Sequence, residues 1–416
     1  MTKKTIAVFF GGRSPEHDVS IVSALQVISA LDRSLYDVIA VYLARDGRWW
    51  TGEALMQRES YLPSPEVLAT LHQVTLDMNA DGRPALIAPK RASIAERLRA
   101  PFSKASGRFE FDVALPVFHG LVGEDGQVQG MFEAARVPYT GMRTMASAVL
   151  MDKVATKRIL ADADIAQLPY REIRRPNEGL LVTVSELAAI VGDLAAPWII
   201  KPSHLGSSIG VAKVATLEEL ADVLPTIFRY DTSAILEPFV DHMVEYNVAV
   251  SRMTGALTTS AIERPKRTDE LLSFKEKYLS GGGGKKAGGG IKAGGLKAPG
   301  QPPSEGMLSL TRELNPNTAG LDDDIRRWAG LAFNMVGGTG APRIDFIGNE
   351  ETGELWLNEV NPCPGSFGYF LWEAAADPIL FSEMLDHLVR EALFEHARAR
   401  IPEDPTPEDA RLFARR

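Results

Sequence analysis

The sequence predicts a multidomain chain of α/β and α+β units, and three observations lead to this fold class. The first is the length of 416 residues, which suits two or three domains of about 100 to 200 residues each. The second is a series of short apolar runs rich in β-branched residues, which is typical of buried strands. The third is the helical spacing of apolar residues in the segments that follow those runs.

Three such runs predict an N-terminal α/β domain over residues 1–143. TIAVFF (5–10), YDVIAVYLA (36–44) and FDVALPVF (111–118) are continuous apolar segments, as expected of parallel strands buried on both faces. The first run leads through a Gly-Gly turn into a helical pattern, EHDVSIVSALQVISALD. Residues 46–110 are mixed in pattern and are predicted to be an elaboration of this domain.

The second and third domains are predicted over 144–238 and 239–416. An amphipathic helix at 144–163 leads into the second, where strands at 198–202, 209–214 and 233–240 surround a helix. The third contains the helix DDDIRRWAGLAFNMV, two strands and a C-terminal helix. Its tract 281–300 has ten glycines, four lysines and no acid, and can be a plain linker, a mobile lid over an anionic ligand, or a docking tract for an acidic partner.

Composition narrows the class of partner. The 45 basic and 54 acidic residues give a net charge of −9, which disfavours nucleic-acid binding and favours small-molecule partners. The single cysteine, Cys363, excludes an internal disulfide framework and a cysteine-cluster zinc site, and is expected to be a small residue at the edge of a core. Neither a signal peptide nor a membrane span is predicted, so a cytoplasmic protein with no membrane partner is expected.

The most informative segment is RIDFIGNEETGELWLNEVN (343–361). A hairpin centred near Thr352 pairs position 343 with 361 and 345 with 359, because each pair sums to 704. One face then carries Arg343, Asp345, Glu359 and Asn361, and the other carries Ile344, Phe346, Trp356 and Val360. The polar face suits magnesium and a phosphoryl group, although a solvated hairpin with a cross-strand ion pair would have the same composition.

Three other segments carry candidate ligand contacts. In WIIKPSHLGSSIGVAKV (198–214), Lys201 precedes a Gly-Ser turn suited to phosphate, with a simple polar hairpin as the alternative. Glu16 and His119 follow predicted strands, where ligands of α/β sheets gather, yet helix capping and a structural histidine explain them equally well. There is no GxxxxGK[ST] or GxGxxG pattern, which disfavours P-loop nucleotidases and nicotinamide dehydrogenases.

Taken in order, the motifs resemble those of D-alanine:D-alanine ligases of the ATP-grasp superfamily. The matching segments are FGGRSPEHDVS, HGLVGEDGQVQG, VPYTGMRTMASAVLMDK, IIKPSHLGSSIGV, KEKYL, RIDF and NEVNPCPG. The resemblance implies a three-domain ATP-grasp fold with ATP between the central and C-terminal domains. It also implies a homodimer.

The resemblance further implies a role for each matching residue. ATP would contact Lys153, Lys201, Ser207, Ser208, Lys277, the stretch from Glu237 to Val240, and Glu245. Asp345, Glu359 and Asn361 would hold two Mg²⁺ ions, with Mn²⁺ as a substitute. Glu16, Ser207, Tyr278, Arg343 and Gly365 would be catalytic, and the substrates would meet Glu16, His119, Arg343, Ser366 and Tyr369.

The implied reaction activates an amino-acid carboxylate as an acyl phosphate and couples it to the amine of a second amino acid, D-alanine in both cases. One departure concerns the second substrate: the family has small hydroxyl residues where this chain has Tyr369 and Phe370, and Phe370 cannot donate a hydrogen bond. Ser366 or Tyr369 can substitute. The alternatives are a ligase that uses another amino acid, a hydroxy acid or a peptide, and a non-catalytic nucleotide-binding protein.

Overall fold

Three β-sheets organise the fold, which is described here by a computed structural model over residues 3–61, 67, 70–78, 82–88, 107–206, 209–265 and 312–399. The first sheet has seven strands, the second four and the third five. The site residues lie where the second and third sheets, and the loops of the first, come together.

The N-terminal sheet has the strand order β6-β5-β4-β3-β2-β1-β7. Its strands are β1 (Lys4–Gly11), β2 (Tyr36–Leu43), β3 (Trp49–Thr51), β4 (His72–Leu76), β5 (Ala85–Ile87), β6 (Arg108–Glu110) and β7 (Val113–Pro116). β1 pairs parallel with β2 and β7, which confirms the predicted parallel strands. The segment 46–110 adds the four short antiparallel strands β3 to β6 and two 3₁₀ turns, Glu53–Met56 and Arg58–Tyr61.

β1 is buried on both faces, as its continuous apolar run predicts. Ile6 and Phe10 belong to one core with helix α1 (His17–Ala30), whereas Ala7 and Phe9 belong to another with helix α2 (Gln127–Ala134). Because β1 and β7 are parallel neighbours, the loops at their carboxyl ends emerge at the same edge of the sheet. These loops carry Glu16 and His119.

The central sheet has the order β10-β9-β11-β8 and is antiparallel throughout. Its elements are β8 (Arg171–Arg174), β9 (Trp198–Pro202), β10 (Ala212–Val214), β11 (Ser233–Pro238), and the helices α3 (Thr144–Met151), α4 (Lys153–Ile159), α5 (Val184–Val191) and α6 (Leu217–Ile227). The single helix predicted at 144–163 is wrong. Asp152 has an extended backbone, with φ −92° and ψ 108°, and its carboxylate caps α4 by accepting from the N–H groups of Val154 and Ala155.

The C-terminal sheet has the order β14-β13-β12-β15-β16 and is also antiparallel. Its elements are β12 (Met243–Ser251), β13 (Thr258–Pro265), β14 (Arg312–Leu314), helix α7 (Asp322–Met335), β15 (Arg343–Asn349) and β16 (Leu355–Asn361). α7 packs on one face, where Trp328 and Phe333 meet Val248 and Ile344. The opposite face carries the candidate site.

The last elements return to the N-terminal sheet. After a 3₁₀ turn, Gly365–Gly368, come the helices α8 (Tyr369–Glu373) and α9 (Phe381–Ala399). On α9, Met384 and Leu388 are buried in the same core as Ile6 and Leu115. The end of the predicted third domain thus completes a core of the predicted first one.

Candidate active site

The hairpin β15–β16 puts the four predicted polar residues on one face. Arg343 pairs with Asn361 and Asp345 pairs with Glu359, which confirms the predicted register. Residues two apart on a strand point to the same side, so the four side chains lie together. The face is accessible, because the side chains of Arg343 and Glu359 are 25% and 31% exposed.

The apolar face of the hairpin departs from the prediction at Trp356. The register shifts by one residue after Asp345, which leaves Asn358 as the extra residue of a β-bulge. Leu357, rather than Trp356, therefore joins the core. The bulge also gives Asn358 a role that the sequence did not show, because its amide oxygen accepts a hydrogen bond from Lys201 Nζ at 2.9 Å.

The three predicted metal ligands form a set of oxygen donors. Asn361 Oδ1 is buried and has no hydrogen-bond partner among the described residues. Arg343 donates two hydrogen bonds of 2.6 Å to Asp345. Burial raises the pKa of Asp345 although Arg343 opposes it, whereas for Glu359 two nearby lysines outweigh burial and lower the pKa. An orphaned amide oxygen beside two facing carboxylates fits Mg²⁺, which takes hard oxygen ligands.

Lys153 and Lys201 reach this face from helix α4 and from strand β9 of the central sheet, respectively. Lys153 is the first residue of α4, and its Nζ lies 3.1 Å from Glu359 and donates to the carbonyl oxygen of Leu205 at 2.8 Å. Lys201 lies near the end of β9, and its Nζ lies 2.9 Å from Glu237. Burial disfavours the charged form of Lys201, but Glu237 and Glu359 outweigh it and raise its pKa. Both predicted phosphate ligands are thus ammonium groups placed beside the predicted metal ligands.

Lys157 is a functional candidate that the sequence reasoning missed. Its Nζ lies 2.7 Å from Glu237 Oε1, while Lys201 takes the other carboxylate oxygen, and the side chains of Lys157 and Glu237 are 3% and 4% exposed. Burial lowers the pKa of Lys157 despite the attraction of Glu237. The signal was present in MDKVATK, because residues four apart on a helix share a face, which puts Lys157 next to Lys153.

His204 connects the two segments that carry these lysines. Its Nδ1 lies 2.8 Å from Asp231, and its Nε2 lies 3.4 Å from Asp152, the cap of α4. Hydrogen bonds to Asp152 and Asp231 raise the pKa of His204 to about 10, so the ring is charged at neutral pH. The loop after β9 is therefore tied to the start of α4 by a charged pair that no sequence pattern indicated.

Glu16 lies between the loops of the first and second sheets. A Cβ atom added at Gly120 would lie 2.8 Å from Glu16 Oε2, and one added at Gly206 would lie 3.8 Å from Oε1. Gly120 also has φ +77°, which favours glycine. The Glu16 carboxylate thus lies next to Gly206, the residue that precedes the predicted phosphate contacts Ser207 and Ser208.

His119 and Glu124 are buried next to the loop that follows β16. His119 Nδ1 lies 3.1 Å from the carbonyl oxygen of Cys363, and Glu124 Oε1 accepts a hydrogen bond of 3.0 Å from the Cys363 N–H. Burial lowers the pKa of His119 to about 4 and raises that of Glu124 to about 8. Burial also raises the pKa of the Cys363 thiol, which is consistent with an unreactive residue at the edge of a core. Glu124 was not among the predicted site residues, although it lies within the motif HGLVGEDG.

The residues predicted to meet the second substrate already have contacts within the protein. The Ser366 hydroxyl donates to Gln26, and the Tyr369 ring stacks on Phe381 with centroids 4.5 Å apart. The guanidinium of Arg312 covers the ring of Phe370, 4.1 Å from its centroid.

Arg312 belongs to the polar face of the C-terminal sheet, by strand register. Asp345 pairs with Asn247, Asn247 with Glu263, and Glu263 with Leu314, which lies two residues from Arg312. Arg312 also lies 3.1 Å from Glu263. Sequence reasoning named neither Arg312 nor Glu263, because their closeness depends on the pairing of distant strands.

The remaining predicted contacts divide into two groups. Val240 is buried just after β11, and Glu245 lies on β12 at the end of the polar face, where its charge acts on Lys201. The other group lies outside the described residues: Ser207, Ser208, Lys277, Tyr278 and the tract 281–300.

Comparison with known proteins identifies the family. The family models described as D-ala D-ala ligase N-terminus and C-terminus match residues 5–142 and residues 159–288 and 305–390, respectively. The chain belongs to the D-alanine–D-alanine ligase family. It is 32% identical to the D-alanine–D-alanine ligase A of Bradyrhizobium diazoefficiens, over 95% of this chain and 96% of that protein.

Solved structures of relatives share the ATP-grasp fold, which confirms the fold predicted for this family member. The D-Ala:D-Ser ligase VanG from Enterococcus faecalis aligns with a TM-score of 0.69 and 24% identity, over 94% of this chain and 100% of that one. A D-alanine–D-alanine ligase from Bacillus anthracis complexed with ATP aligns with a TM-score of 0.58 and 20% identity, over 95% and 99%. Among the described helices of this ligase-family chain, none is long and apolar enough to cross a membrane.

Proposed function

We propose that the protein is an ATP-dependent, ADP-forming ligase that joins two D-alanine molecules into D-alanyl-D-alanine. The observation that carries the proposal is the shared polar face of β15 and β16, which Lys153 approaches from helix α4 and Lys201 from strand β9. The residues of that face are Arg343, Asp345, Glu359 and Asn361. The family membership supports D-alanine as the substrate.

The arrangement suits activation of a carboxylate followed by attack of an amine. A carboxylate oxygen is a poor leaving group, so phosphoryl transfer from ATP first forms an acyl phosphate, which the second amine then attacks with loss of phosphate. Lys153 and Lys201 neutralise the phosphates of ATP, and the Arg343 guanidinium together with the Gly365 N–H stabilises the negative charge that develops. Glu16, at the edge of the loop after β9, holds the ammonium group of the first amino acid.

The metal site fits Mg²⁺, with Mn²⁺ as a substitute. Asp345, Glu359 and Asn361 would hold two ions, which would supply charge neutralisation at the transferring phosphoryl group. Ser207, Ser208, Lys277 and Tyr278 are further proposed contacts from the family resemblance.

The decisive test is ADP release with D-alanine, ATP and Mg²⁺, together with detection of the dipeptide. We expect both products, no release after chelation of Mg²⁺, and recovery with Mn²⁺. Asp345→Asn or Glu359→Gln should reduce ADP release at least 100-fold, the scale of losing one transition-state contact. Unchanged ADP production in these variants would favour a non-catalytic nucleotide-binding protein.

A different second substrate is the alternative that one observation favours. Phe370 offers no hydrogen bond, and its ring is covered by Arg312. If Arg312 binds the carboxylate of the second amino acid, Arg312→Gln should raise the KM for that amino acid at least about tenfold, since a charge-assisted hydrogen bond contributes about 1.5 to 3 kcal/mol. The KM for ATP should stay unchanged. A screen of D- and L-amino acids, hydroxy acids and peptides by ADP release identifies the acceptor.

We further propose three domains over 1–143, 144–238 and 239–416, assembled into a cytoplasmic homodimer. Size-exclusion chromatography with light scattering measures the oligomeric state, and a monomer at micromolar concentration would contradict the dimer.

A further inference from the structure

One residue after β16, Cys363, is held through both its backbone N–H and its backbone carbonyl by a loop of the N-terminal sheet. The Cys363 N–H donates to Glu124 at 3.0 Å, and the Cys363 carbonyl oxygen lies 3.1 Å from His119 Nδ1. Glu124 also accepts from the N–H of Gly120, four residues before it. The backbone at Cys363 is therefore fixed relative to the first sheet. It lies two residues after Asn361 and two before Gly365.

A second contact fixes the chain on the other side of Gly365. Ser23 on α1 accepts a hydrogen bond of 3.2 Å from the Ser366 N–H, and its Oγ lies 2.9 Å from His119 Nε2. The contacts are mutually consistent if His119 is neutral, with Nδ1–H donating to Cys363 and Nε2 accepting from Ser23. Ser366 has φ +48°, a left-handed conformation that L side chains rarely adopt and that surrounding contacts must maintain.

The side chains of His119, Glu124 and Cys363 could be taken for a metal site. Ligand atoms of His119, Glu124 and Cys363 lie within 4.8 Å of one another. However, both carboxylate oxygens of Glu124 accept backbone N–H groups, and both ring nitrogens of His119 have partners. A metal ion would have to displace these hydrogen bonds, so the contacts favour a role in holding the backbone.

We propose that Glu124 is a positioning residue for the ligation reaction and that, together with His119 and Ser23, it fixes the Gly365 N–H where negative charge develops. The inference rests on the proposed function, in which that N–H stabilises the reacting group. The side chains of Glu124, His119 and Ser23 act through the backbone at Cys363 and Ser366, which lie on either side of Gly365. His119 then supports this loop in addition to the substrate contact that the resemblance implies.

The first test compares Glu124→Gln with Glu391→Gln. A glutamine offers one oxygen acceptor, so it can serve either Gly120 or Cys363 but not both. We expect kcat to fall about 10- to 100-fold, because misplacing a catalytic group by about 1 Å costs up to about 100-fold. The KM for ATP should change less than about twofold. Glu391 also accepts a backbone N–H, that of Gly340, but this residue precedes β15 and does not flank Gly365 in the chain, so its variant should keep kcat within about twofold.

The second test uses Ser23→Ala, with Ser29→Ala as a control on the exposed side of the same helix. Ser23→Ala removes the acceptor of the Ser366 N–H and should lower kcat, whereas Ser29→Ala should not. Because a change at Ser23 removes little volume, this variant decides the matter if Glu124→Gln loses its cooperative melting transition. Unchanged kcat in Ser23→Ala, or equal losses in Ser23→Ala and Ser29→Ala, would overturn the proposal.

A measurement without turnover separates this proposal from the proposed function. Amide hydrogen exchange of the peptide that spans 362–368 should be faster in Glu124→Gln than in wild type or Glu391→Gln. Failure of the wild type to release ADP with D-alanine would count against the proposed function alone. Wild-type exchange rates in Glu124→Gln would count against the positioning role alone.

Discussion

At the residue scale, a row of alternating charges links the central sheet to the candidate site. Lys157 and Lys201 share the Glu237 carboxylate, and Lys153 pairs with Glu359. A buried carboxylate with two ammonium partners still has one of them when the other is drawn toward a phosphate. Lys157 thus leaves Lys201 able to meet ATP without stranding Glu237.

Replacing Lys157 by methionine should weaken ATP binding. Glu237 would keep Lys201 as its only ammonium partner, so we expect the KM for ATP to rise about tenfold. Because Glu237 keeps Lys201, the free energy of unfolding should fall by less than the about 3 to 5 kcal/mol that an unpaired buried charge costs. Arg158 lies on the same helix and pairs at the surface with Glu172 of β8, so Arg158→Met should cost less than about 1 kcal/mol and leave the KM unchanged. Equal KM values in the two variants would contradict the role of Lys157.

His204 makes stability depend on pH in the alkaline range. Its folded pKa is raised to about 10 by Asp152 and Asp231, above the value of about 6.5 expected in the unfolded chain. Its contribution is therefore fully present below about pH 6.5 and is lost as the pH rises toward 10. The melting-temperature gap between wild type and His204→Gln should narrow from pH 6.5 to pH 9.5. A constant gap would show that the charge of His204 contributes nothing.

At the element scale, the sequence predicted the strands that are long and strongly patterned. The register of Arg343 with Asn361 followed from side-chain alternation and a turn signal. Trp356 was placed wrongly because a bulge at Asn358 depends on packing and has no sequence mark. Strands β3 to β6 could not be located within 46–110, because most have only three residues and too few positions to show a period.

The break at Asp152 is the element-scale feature with the clearest test. Asp152 caps α4 and faces His204, so Asp152→Asn keeps the cap and removes the charge, whereas Asp152→Ala removes both. The alanine variant should be less stable than the asparagine variant by about 1 kcal/mol, the usual contribution of a cap. Urea denaturation of the two proteins measures the difference. Equal stability would mean that the cap has no net effect.

At the scale of the whole molecule, site geometry comes from contacts between distant segments. Sequence reasoning placed Lys153, Lys201, Asp345 and Glu359 through their motifs, and the structure brings these four together. It missed contacts that depend on tertiary pairing, such as Lys157 with Glu237. The spacing of residues within one segment does not show which residue of a distant strand lies opposite a buried charge.

The C-terminal helix α9 couples the two ends of the chain. Leu388 is 1% exposed in the core beneath the N-terminal sheet, so Leu388→Ala should lower the free energy of unfolding by about 2 to 5 kcal/mol. Leu380, which is 57% exposed, provides the control, and Leu380→Ala should cost less than about 0.5 kcal/mol. Calorimetry should show the N-terminal sheet melting in the same transition as the rest. A separate, unshifted transition for that sheet would contradict this coupling.

The position of α9 also bears on synthesis. The strands that α9 covers leave the ribosome first, and their covering helix begins at Phe381, the last described element to be made. At a synthesis rate of about 5 to 20 residues per second, the apolar face of that sheet stays uncovered for roughly 10 to 50 s before α9 is made. The nascent N-terminal half should therefore be a client of ribosome-associated chaperones, and fragments that stop before α9 should aggregate during translation.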